Sequence, residues 1–397
     1  MKEFVLTNLW IFVSVVLAIT NLPLSAISMQ QDTLKKAEIG YLFPVSNSQI
    51  GCSYYGLSRE DKAKISLFSI NDGKLTHSVL LNEGESPGVI AASDDGDLIG
   101  VTYLIWKDRY APESYNIGCY SIQESRWLWK EKWADYLSYE SGEDFIERVI
   151  FRSGGRKIVA TGIKTLVIYD ARTGKVLDKW REPFKDYPVL RFGPIRSAFS
   201  PSGRYLIVWQ EFHSIYLPNY LYRFRVNKEV TVWDIDQHKL VARWEKPQGQ
   251  SCCAVFSPDE KQIVFGSADG YIRIWSISEE KVVREWEAHR GKEGYKKYPH
   301  SSYFWALIIS QDGKCLATKG ATATGDGYDV KIWDFMTGKL AHELRDVRSA
   351  GDFGKPKMAF SPNGKYFACA QDRYLWCLYD TQTWQEKWCV PSVKGRE

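Results

Sequence analysis

Histidine and cysteine most often bind metal ions or act as nucleophiles, so their spacing is the first chemical signal in this chain. None of the six histidines forms an HxxH, HExxH or HxH spacing with another: they are His77, His213, His238, His289, His300 and His342. The chain also has no glycine-rich phosphate loop of the Walker type and no GxSxG nucleophile elbow. We therefore expect no metal, no cofactor and no catalytic residue, although a triad assembled from distant residues would leave no local motif.

The eight cysteines carry no zinc signature, because they include neither a CxxC pair nor a Cys/His zinc spacing. They are Cys52, Cys119, Cys252, Cys253, Cys315, Cys369, Cys377 and Cys389. Scattered cysteines in strands usually serve as small buried hydrophobic residues. Cys369, Cys377 and Cys389 fall in three successive predicted strands, and the first two are symmetric about Arg373, as partners across a hairpin would be. These three are a candidate disulfide set if the chain is exported.

The elements that must position these side chains are predicted to be strands. Aromatic residues make up 14% of the chain, with 16 Trp and 23 Tyr, and this enrichment favours strands over helices. After the first 30 residues, short alternating apolar runs are bounded by Gly, Pro, Asp and Ser, and a sustained helical period is hard to find. The 397 residues are therefore predicted to form an all-β protein.

One signature occurs seven times: an aromatic residue ends an apolar run, Asp or Ser follows, and Lys, Arg or Gln comes five residues after that. The aromatic positions are Phe68, Tyr120, Tyr169, Trp233, Trp275, Trp333 and Tyr379. A second signature, a strand running into a tight polar turn, precedes most of them, as in Phe256-Ser257-Pro258-Asp259 and Phe360-Ser361-Pro362-Asn363. Pro presets φ in such turns, and Gly, Asn or Asp tolerates the left-handed position. Two independent signatures thus agree on seven repeats.

These residues resemble the WD40-repeat family from about residue 39 to residue 390, most closely at 254–276 and 306–339. The resemblance implies a seven-bladed β-propeller of four-stranded antiparallel blades, with strands named a to d from the axis outward. In blade 5 these strands are expected near 252–257, 262–266, 271–276 and 281–287. The resemblance assigns structural repeat roles to Trp233, Asp234, Asp269, Trp275, Trp333, Asp334, Tyr379 and Asp380.

The sequence departs from the family in three respects. The family's Gly-His dipeptide is mostly missing, and His289 is the nearest candidate for its histidine. The buried Asp of the family's Asp-His-Ser-Trp network is matched by Asp269 but has no counterpart in the first four blades. The last repeat also ends with its own outer strand and the first begins with its own inner strand near Ile39, which predicts ring closure by packing of blade 1 on blade 7 rather than by a shared strand.

The N-terminal residues 1–28 are hydrophobic and stand apart from the repeats. Lys2 precedes the apolar run, and Ala26-Ile27-Ser28 resembles a small-x-small cleavage site, which favours a secretory signal peptide. An uncleaved membrane anchor is the alternative, because the segment is about long enough to span a bilayer; a buried element of the fold is a third. We expect a linker at 29–38, the propeller at 39–390 and a C-terminal tail at 391–397. A cleaved signal would make the protein periplasmic or secreted, and an anchor would attach it to a membrane.

Connection lengths single out one face of the disc. Because neighbouring strands alternate in direction, the a–b and c–d turns lie on one face, and the b–c and d–a connections lie on the other. The a–b and c–d turns are short. Extra length is predicted at 106–116, 130–147, 181–196, 210–229, 289–302 and 321–329, all in b–c or d–a connections. We call this second face the long-loop face, and long loops on a rigid scaffold often carry function.

Two of these loops, 212–225 and 290–300, are rich in tyrosine and basic residues, which are enriched at protein interfaces. Candidate partner-binding residues are Tyr216, Tyr220, Tyr222, Arg223, Arg225, Tyr295, Lys296, Lys297 and Tyr298. These side chains either dock a protein or peptide of some acidic character or seal the loops against the propeller.

Three functions are consistent with this sequence. The favoured one is a non-enzymatic scaffold that binds a protein or peptide through the long-loop face. An exported propeller enzyme with a small-molecule site at the axial mouth is the first alternative, and a purely architectural member of a membrane-attached assembly is the second. The net charge of +4 is too small to predict a nucleic-acid partner. A membrane contact is expected only through the N-terminal segment.

Overall fold

A computed structural model describes residues 37–56, 62–106, 112–135, 145–184, 195–210, 229–245, 251–267, 269–289, 304–322, 328–345, 347 and 357–391. These residues form 28 strands in seven four-stranded antiparallel sheets, each with its strands in chain order, and one short 3-10 helix, Glu182–Phe184. The predicted all-β fold, a seven-bladed propeller, is confirmed.

The seven sheets are the blades. Blade 1 contains β1 (Ala37–Ser46), β2 (Gln49–Gly56), β3 (Lys64–Ser69) and β4 (Leu75–Leu80). Blade 2 contains β5 (Glu85–Ala92), β6 (Leu98–Trp106), β7 (Pro112–Ser121) and β8 (Arg126–Asp135). Blade 3 contains β9 (Ile146–Arg152), β10 (Lys157–Gly162), β11 (Leu166–Asp170) and β12 (Val176–Trp180). Blade 4 contains β13 (Ile195–Phe199), β14 (Tyr205–Gln210), β15 (Glu229–Asp234) and β16 (Lys239–Glu245).

The remaining blades follow the same order. Blade 5 contains β17 (Ser251–Phe256), β18 (Gln262–Ser267), β19 (Tyr271–Ser276) and β20 (Lys281–Glu287). Blade 6 contains β21 (Phe304–Ile309), β22 (Cys315–Ala321), β23 (Tyr328–Asp334) and β24 (Leu340–Leu344). Blade 7 contains β25 (Met358–Phe360), β26 (Tyr366–Ala370), β27 (Leu375–Asp380) and β28 (Glu386–Pro391). Every strand of blade 5 begins and ends within one residue of its predicted bounds.

The burial of each strand follows from its place in a blade. The b and c strands β14, β15, β18 and β19 are buried along almost their whole length, because both faces of a blade pack against neighbouring blades. The outer strand β16 instead alternates between exposed residues and residues that are half-buried or, at Trp244, buried, because it lies at the circumference. Radial stacking therefore buries two apolar faces that a single sheet would leave in water.

Blade 2 departs from the predicted loop boundaries. The stretches 106–116 and 130–147 were expected to be loops, but β7 begins at Pro112 and β8 continues to Asp135. The two strands pair from Ser114 with Asp135 to Ser121 with Arg126. The β8 sequence RWLWKEKWAD is rich in tryptophan, which favours a strand, and a long pairing partner extends it beyond the length typical of the other blades.

Each of the seven repeated aromatic residues stands one residue before the end of its c strand, and all are between 5% and 9% exposed. The outer strand of each blade carries an aromatic ring or histidine to the following blade. The ring pairs are His77 with Tyr120, Trp129 with Tyr169, Trp180 with Trp233, Trp244 with Trp275, Trp286 with Trp333 and His342 with Trp384. At the seventh junction Trp388 donates a hydrogen bond from Nε1 to the Ile70 carbonyl (2.9 Å). The repeated aromatic residues therefore join blades as well as fill them.

The ring closes by packing, as the sequence predicts, since blades 1 and 7 are separate four-stranded sheets. The Ile39 amide donates to the Arg373 carbonyl (2.9 Å). Trp376 and Tyr54 belong to one core cluster built from both blades. Closure thus depends on side chains separated by nearly the whole chain.

Candidate functional site

The predicted partner-binding residues lie outside the described residues. They are Tyr216, Tyr220, Tyr222, Arg223, Arg225, Tyr295, Lys296, Lys297 and Tyr298. The strand bounds nevertheless fix the lengths of the connections that carry them. The fourteen a–b and c–d connections take two to five residues each, whereas b–c and d–a connections reach 18 residues at 211–228 and 16 at 288–303.

A cavity of 440 Å³ lies on the propeller axis, lined by inner strands of six blades. It extends from the inner strands to the a–b turns, where Ser200, Pro258 and Gln311 line it. Most of its wall is apolar, and its charged lining residues are Arg148 and Arg196. Within the part of the chain that the structure describes, no histidine or carboxylate lines it.

The repeat places one equivalent residue in each blade, within the inner strand in blades 1 to 6 and directly before it in blade 7. In each blade, one inner-strand residue pairs with an equivalent residue of strand b; these strand-b residues are Ile50, Ile99, Ile158, Leu206, Ile263, Leu316 and Phe367. The aligned residue stands three positions before that inner-strand residue in the sequence. The seven aligned residues, which we call the axial ring, are Tyr41, Val89, Arg148, Arg196, Cys253, Ala306 and Lys357. Six of them, all except Lys357, line the cavity.

Arg148 and Arg196 cross the seam between blades 3 and 4. Arg148 donates a hydrogen bond from Nε to the Ser197 carbonyl (3.1 Å), and Arg196 Nη1 lies 3.5 Å from Glu147 Oε1. The Glu147 side chain is 5% exposed and accepts a hydrogen bond from Ser197 Oγ (3.3 Å). A buried carboxylate and a backbone carbonyl thus hold the two guanidinium groups beside each other at the cavity wall.

Sequence reasoning missed this site because it treated the inner strands only as core. A signal was present: Arg148 and Arg196 each stand three residues before the repeated Phe, at Phe151 and Phe199. Lys357 has the same spacing to its own Phe. Alignment of the seven repeats would have placed three basic residues at one position of the ring.

Blade 6 holds the polar network that the family resemblance implies. His289 Nε2 lies 2.9 Å from Thr318 Oγ1, and Trp333 donates from Nε1 to the same oxygen (2.9 Å). His289 is 1% exposed, and burial, helped by the charge of Lys331, lowers its pKa to about 3. The imidazole is therefore neutral at physiological pH and serves as a structural link between blades 5 and 6.

The sequence predicts that Asp269 of blade 5 is buried, and this prediction is wrong, because Asp269 is exposed. Its Oδ2 lies 2.7 Å from Arg273 Nη2, and its Oδ1 accepts from the Tyr271 amide (3.2 Å). Phe265 takes the strand position that Thr318 has in blade 6, so this interior offers no hydroxyl there. A carboxylate at the surface beside a guanidinium avoids the cost of burial without polar partners.

The other predicted repeat carboxylates organise the c–d turns. Asp334 Oδ1 accepts from the Thr337 amide (2.7 Å), and Asp380 Oδ1 accepts from the Thr383 amide (3.0 Å). The hydroxyl and then the amide of Thr337 lower the pKa of Asp334, and the Thr383 amide lowers the pKa of Asp380. Asp234 accepts from the Gln237 amide (2.9 Å) in the same way. Their role is local turn geometry.

The three predicted cysteines stand in one row across blade 7. Cys377 pairs in register with Cys369 on β26 and with Cys389 on β28. Cys377 and Cys389 form a disulfide with a Cα–Cα distance of 4.1 Å. Cys369 remains a thiol, and burial raises its pKa to about 12. Glu386 is near enough to the two disulfide sulfurs to complete a three-ligand group, but both sulfurs are held by their covalent bond.

No helix in the described ranges combines the length and apolar character needed to cross a membrane. The N-terminal segment 1–28 lies outside those ranges.

The geometry defines a seven-bladed β-propeller with an axial cavity and one face of long connections. A family model described as "WD domain, G-beta repeat" matches residues 239–276, which comprise β16 and the first three strands of blade 5. Together, this match and the seven four-stranded blades support a propeller of the WD40-repeat type. A comparison with curated proteins finds no match.

Proposed function

We propose that this protein is a non-catalytic scaffold that binds a protein or peptide through its long-loop face. WD40 propellers are typically interaction scaffolds, and the observation that carries the proposal here is the asymmetry of the connections. The a–b and c–d turns are at most five residues long, while the connection 211–228 alone has 18. A rigid ring with long connections on one face presents a large and variable surface for docking.

The loop residues supply the chemistry for such docking. Tyr216, Tyr222, Arg223 and Lys297 combine apolar area with donors and positive charge, which suits a partner segment with acidic character. Nucleic acid is not the proposed partner, because the net charge is only +4.

The test is affinity capture with the full-length protein as bait. Replacement of Tyr216, Tyr222, Arg223 and Lys297 by Ala is expected to abolish capture of the partner that the unaltered protein retains. Replacement of Lys261, Lys314 and Lys339 by Ala, all exposed in the short turns of the opposite face, is the matched control and should leave capture intact. Equal capture by both variants would rule out the loop assignment.

We also propose that the chain is exported or membrane-anchored through residues 1–28. The Cys377–Cys389 disulfide supports this, because disulfides persist mainly in oxidising compartments. Cell fractionation followed by N-terminal sequencing separates the alternatives. A mature protein that begins near residue 29 in a soluble extracytoplasmic fraction indicates a cleaved signal, and an intact N-terminus in the membrane fraction indicates an anchor. An intact protein in a reducing cytoplasmic fraction would contradict both.

An exported enzyme with its site at the axial mouth is the second candidate, favoured by the 440 Å³ axial cavity. Its lining supplies guanidinium groups and a phenol, which can bind and polarise a substrate. The general bases usual in hydrolysis are histidines and carboxylates, and neither is among the described residues that line the cavity. Incubation of the protein with a mixture of small organic acids, followed by ¹H NMR, tests it. Turnover that Arg148→Gln abolishes would favour the enzyme over the scaffold.

A further inference from the structure

The axial ring is unusually cationic for residues at the centre of a protein. Arg148, Arg196 and Lys357 occupy three of its seven positions, and the other four are Tyr41, Val89, Cys253 and Ala306. None of the seven is acidic. Of the three, Arg148 and Arg196 line the cavity, and Lys357 does not. Two like charges on one cavity wall repel each other, and an anion bound between them would relieve that repulsion.

The two arginines are held for binding by the residues behind them. Thr161 Oγ1 lies 3.0 Å from Ser197 Oγ, Ser197 donates to Glu147, and Glu147 lies beside Arg196. The Arg196 side chain is 14% exposed, so its position is fixed by packing as well as by this chain of contacts. Guanidinium groups fixed in advance lose less side-chain freedom when they bind a carboxylate or phosphate.

Tyr41 adds a neutral hydrogen-bond donor from blade 1. Burial raises the pKa of its phenol, and the nearby charge of Arg148 acts in the opposite direction. The phenol therefore keeps its proton at neutral pH and can donate it in a hydrogen bond to an anion.

The remaining wall determines the size and polarity of the ligand. Val149, Ile150, Val255, Leu307 and Ile308 line the cavity with apolar surface. Its 440 Å³ lies within the range of small-ligand pockets, roughly 300–1,000 Å³. A low-dielectric wall strengthens each charge–charge interaction, and the space suits an anionic group on a short apolar stem.

We propose that the axial cavity is an anion-binding site in which Arg148 and Arg196 hold a carboxylate or phosphate group and Tyr41 donates a hydrogen bond to it. The group is carried either by a small organic acid or by an acidic side chain of the partner. Binding of a partner's acidic side chain rests on the proposed scaffold function, whereas binding of a small organic acid does not.

The test is isothermal titration calorimetry of the full-length protein at low ionic strength with three probes: malonate, inorganic phosphate and a glutamate-rich peptide. At least one probe should bind, and added salt should weaken it. Arg148→Gln and Arg196→Gln should each weaken binding about 10- to 100-fold, because each removes a charge-assisted contact. Arg243→Gln is the matched control, since Arg243 lies on the outer strand β16 and pairs with Glu229.

The probes distinguish the two sources. Binding of malonate or phosphate without the peptide points to a free small acid, and competition between the peptide and malonate points to a partner's side chain. Arg148→Lys and Arg196→Lys keep the charge and should retain part of the affinity, which protects the test against simple misfolding. Failure of all three probes at millimolar concentration, or an equal loss with Arg243→Gln, would overturn the anion site. Neither result would affect partner capture through the loops, so the two proposals fail separately.

Discussion

Trp376 of blade 7 donates a hydrogen bond from its indole Nε1 to the hydroxyl of Tyr54 in blade 1 at 3.3 Å, across a sequence separation of 322 residues. Both side chains are 0% exposed. No strand is shared between the first and last blades, so this contact and the apolar cluster around it hold the ring shut, together with the hydrogen bonds from Ile39 to Arg373 and from Trp388 to Ile70. The stability of the whole propeller should therefore depend on this junction.

The first prediction concerns that hydrogen bond. Trp376→Phe should lower the free energy of unfolding by about 1–3 kcal/mol, because it leaves the buried Tyr54 hydroxyl without its donor. Tyr54→Phe removes the other partner, and the double variant should cost less than the sum of the two single changes. Urea unfolding of the four proteins measures this coupling. Strictly additive losses would show that the two side chains act independently.

The second prediction concerns Gly270 in the b–c turn of blade 5. Its φ is +87°, and a Cβ at this position would lie 2.1 Å from the His289 carbonyl oxygen, which is backbone and cannot rotate away. Gly270→Ala should therefore cost at least about 2 kcal/mol, from left-handed strain together with the clash. Gly154→Ala is the matched control, since its φ is +65° but nothing lies within 4 Å of its Cβ. Thermal denaturation should show a larger loss for Gly270→Ala, and equal losses would mean that strain alone decides.

The third prediction concerns pH. The pKa of His289 is lowered to about 3 in the folded protein, while the unfolded chain titrates near the ordinary value of 6.5. Below pH 6.5 the unfolded state binds the extra proton, so stability should fall by up to about 1.4 kcal/mol per pH unit down to about pH 3. His289→Gln should flatten this part of the profile, although it lowers stability at neutral pH. His77→Gln, on the outer strand of blade 1, is the control and should keep the slope of stability against pH. If His289→Gln also left this slope unchanged, the slope would arise from other groups.

The blade count could be predicted from sequence because it depends on local chemistry. Phe256-Ser257-Pro258 and Tyr379-Asp380 each identify a turn from a few neighbouring residues, and similar turns recur in most blades. Whether a side chain is buried in a blade depends less on its neighbours in the sequence. Asp269 was expected to be buried because Trp275 follows it at a plausible distance, but its environment depends on Phe265 of the adjacent strand.

The axial ring was missed for a related reason. Arg148 and Arg196 are 48 residues apart in sequence, and each looks like a surface cation when its own strand is considered alone. Only the propeller's rotational repeat brings residues at equal strand positions to one axis. The pairing of Cys377 with both Cys369 and Cys389 could be anticipated from hairpin symmetry, but register alone leaves open which neighbour forms the bond.

The last prediction concerns that choice of partner. The Cys377–Cys389 bond closes a short loop of the outermost hairpin, with a sequence separation of 12 residues. In the chain-entropy account, a cross-link of this length stabilises the folded state by about 3 kcal/mol. Cys389→Ser should therefore lower the midpoint of urea unfolding, and the same protein should no longer respond to dithiothreitol. Cys369→Ala can also lower stability, since its thiol is buried, but it should keep the full response to dithiothreitol. A response lost in Cys369→Ala and retained in Cys389→Ser would mean that Cys377 bonds to Cys369 instead, because both cysteines face it across the sheet.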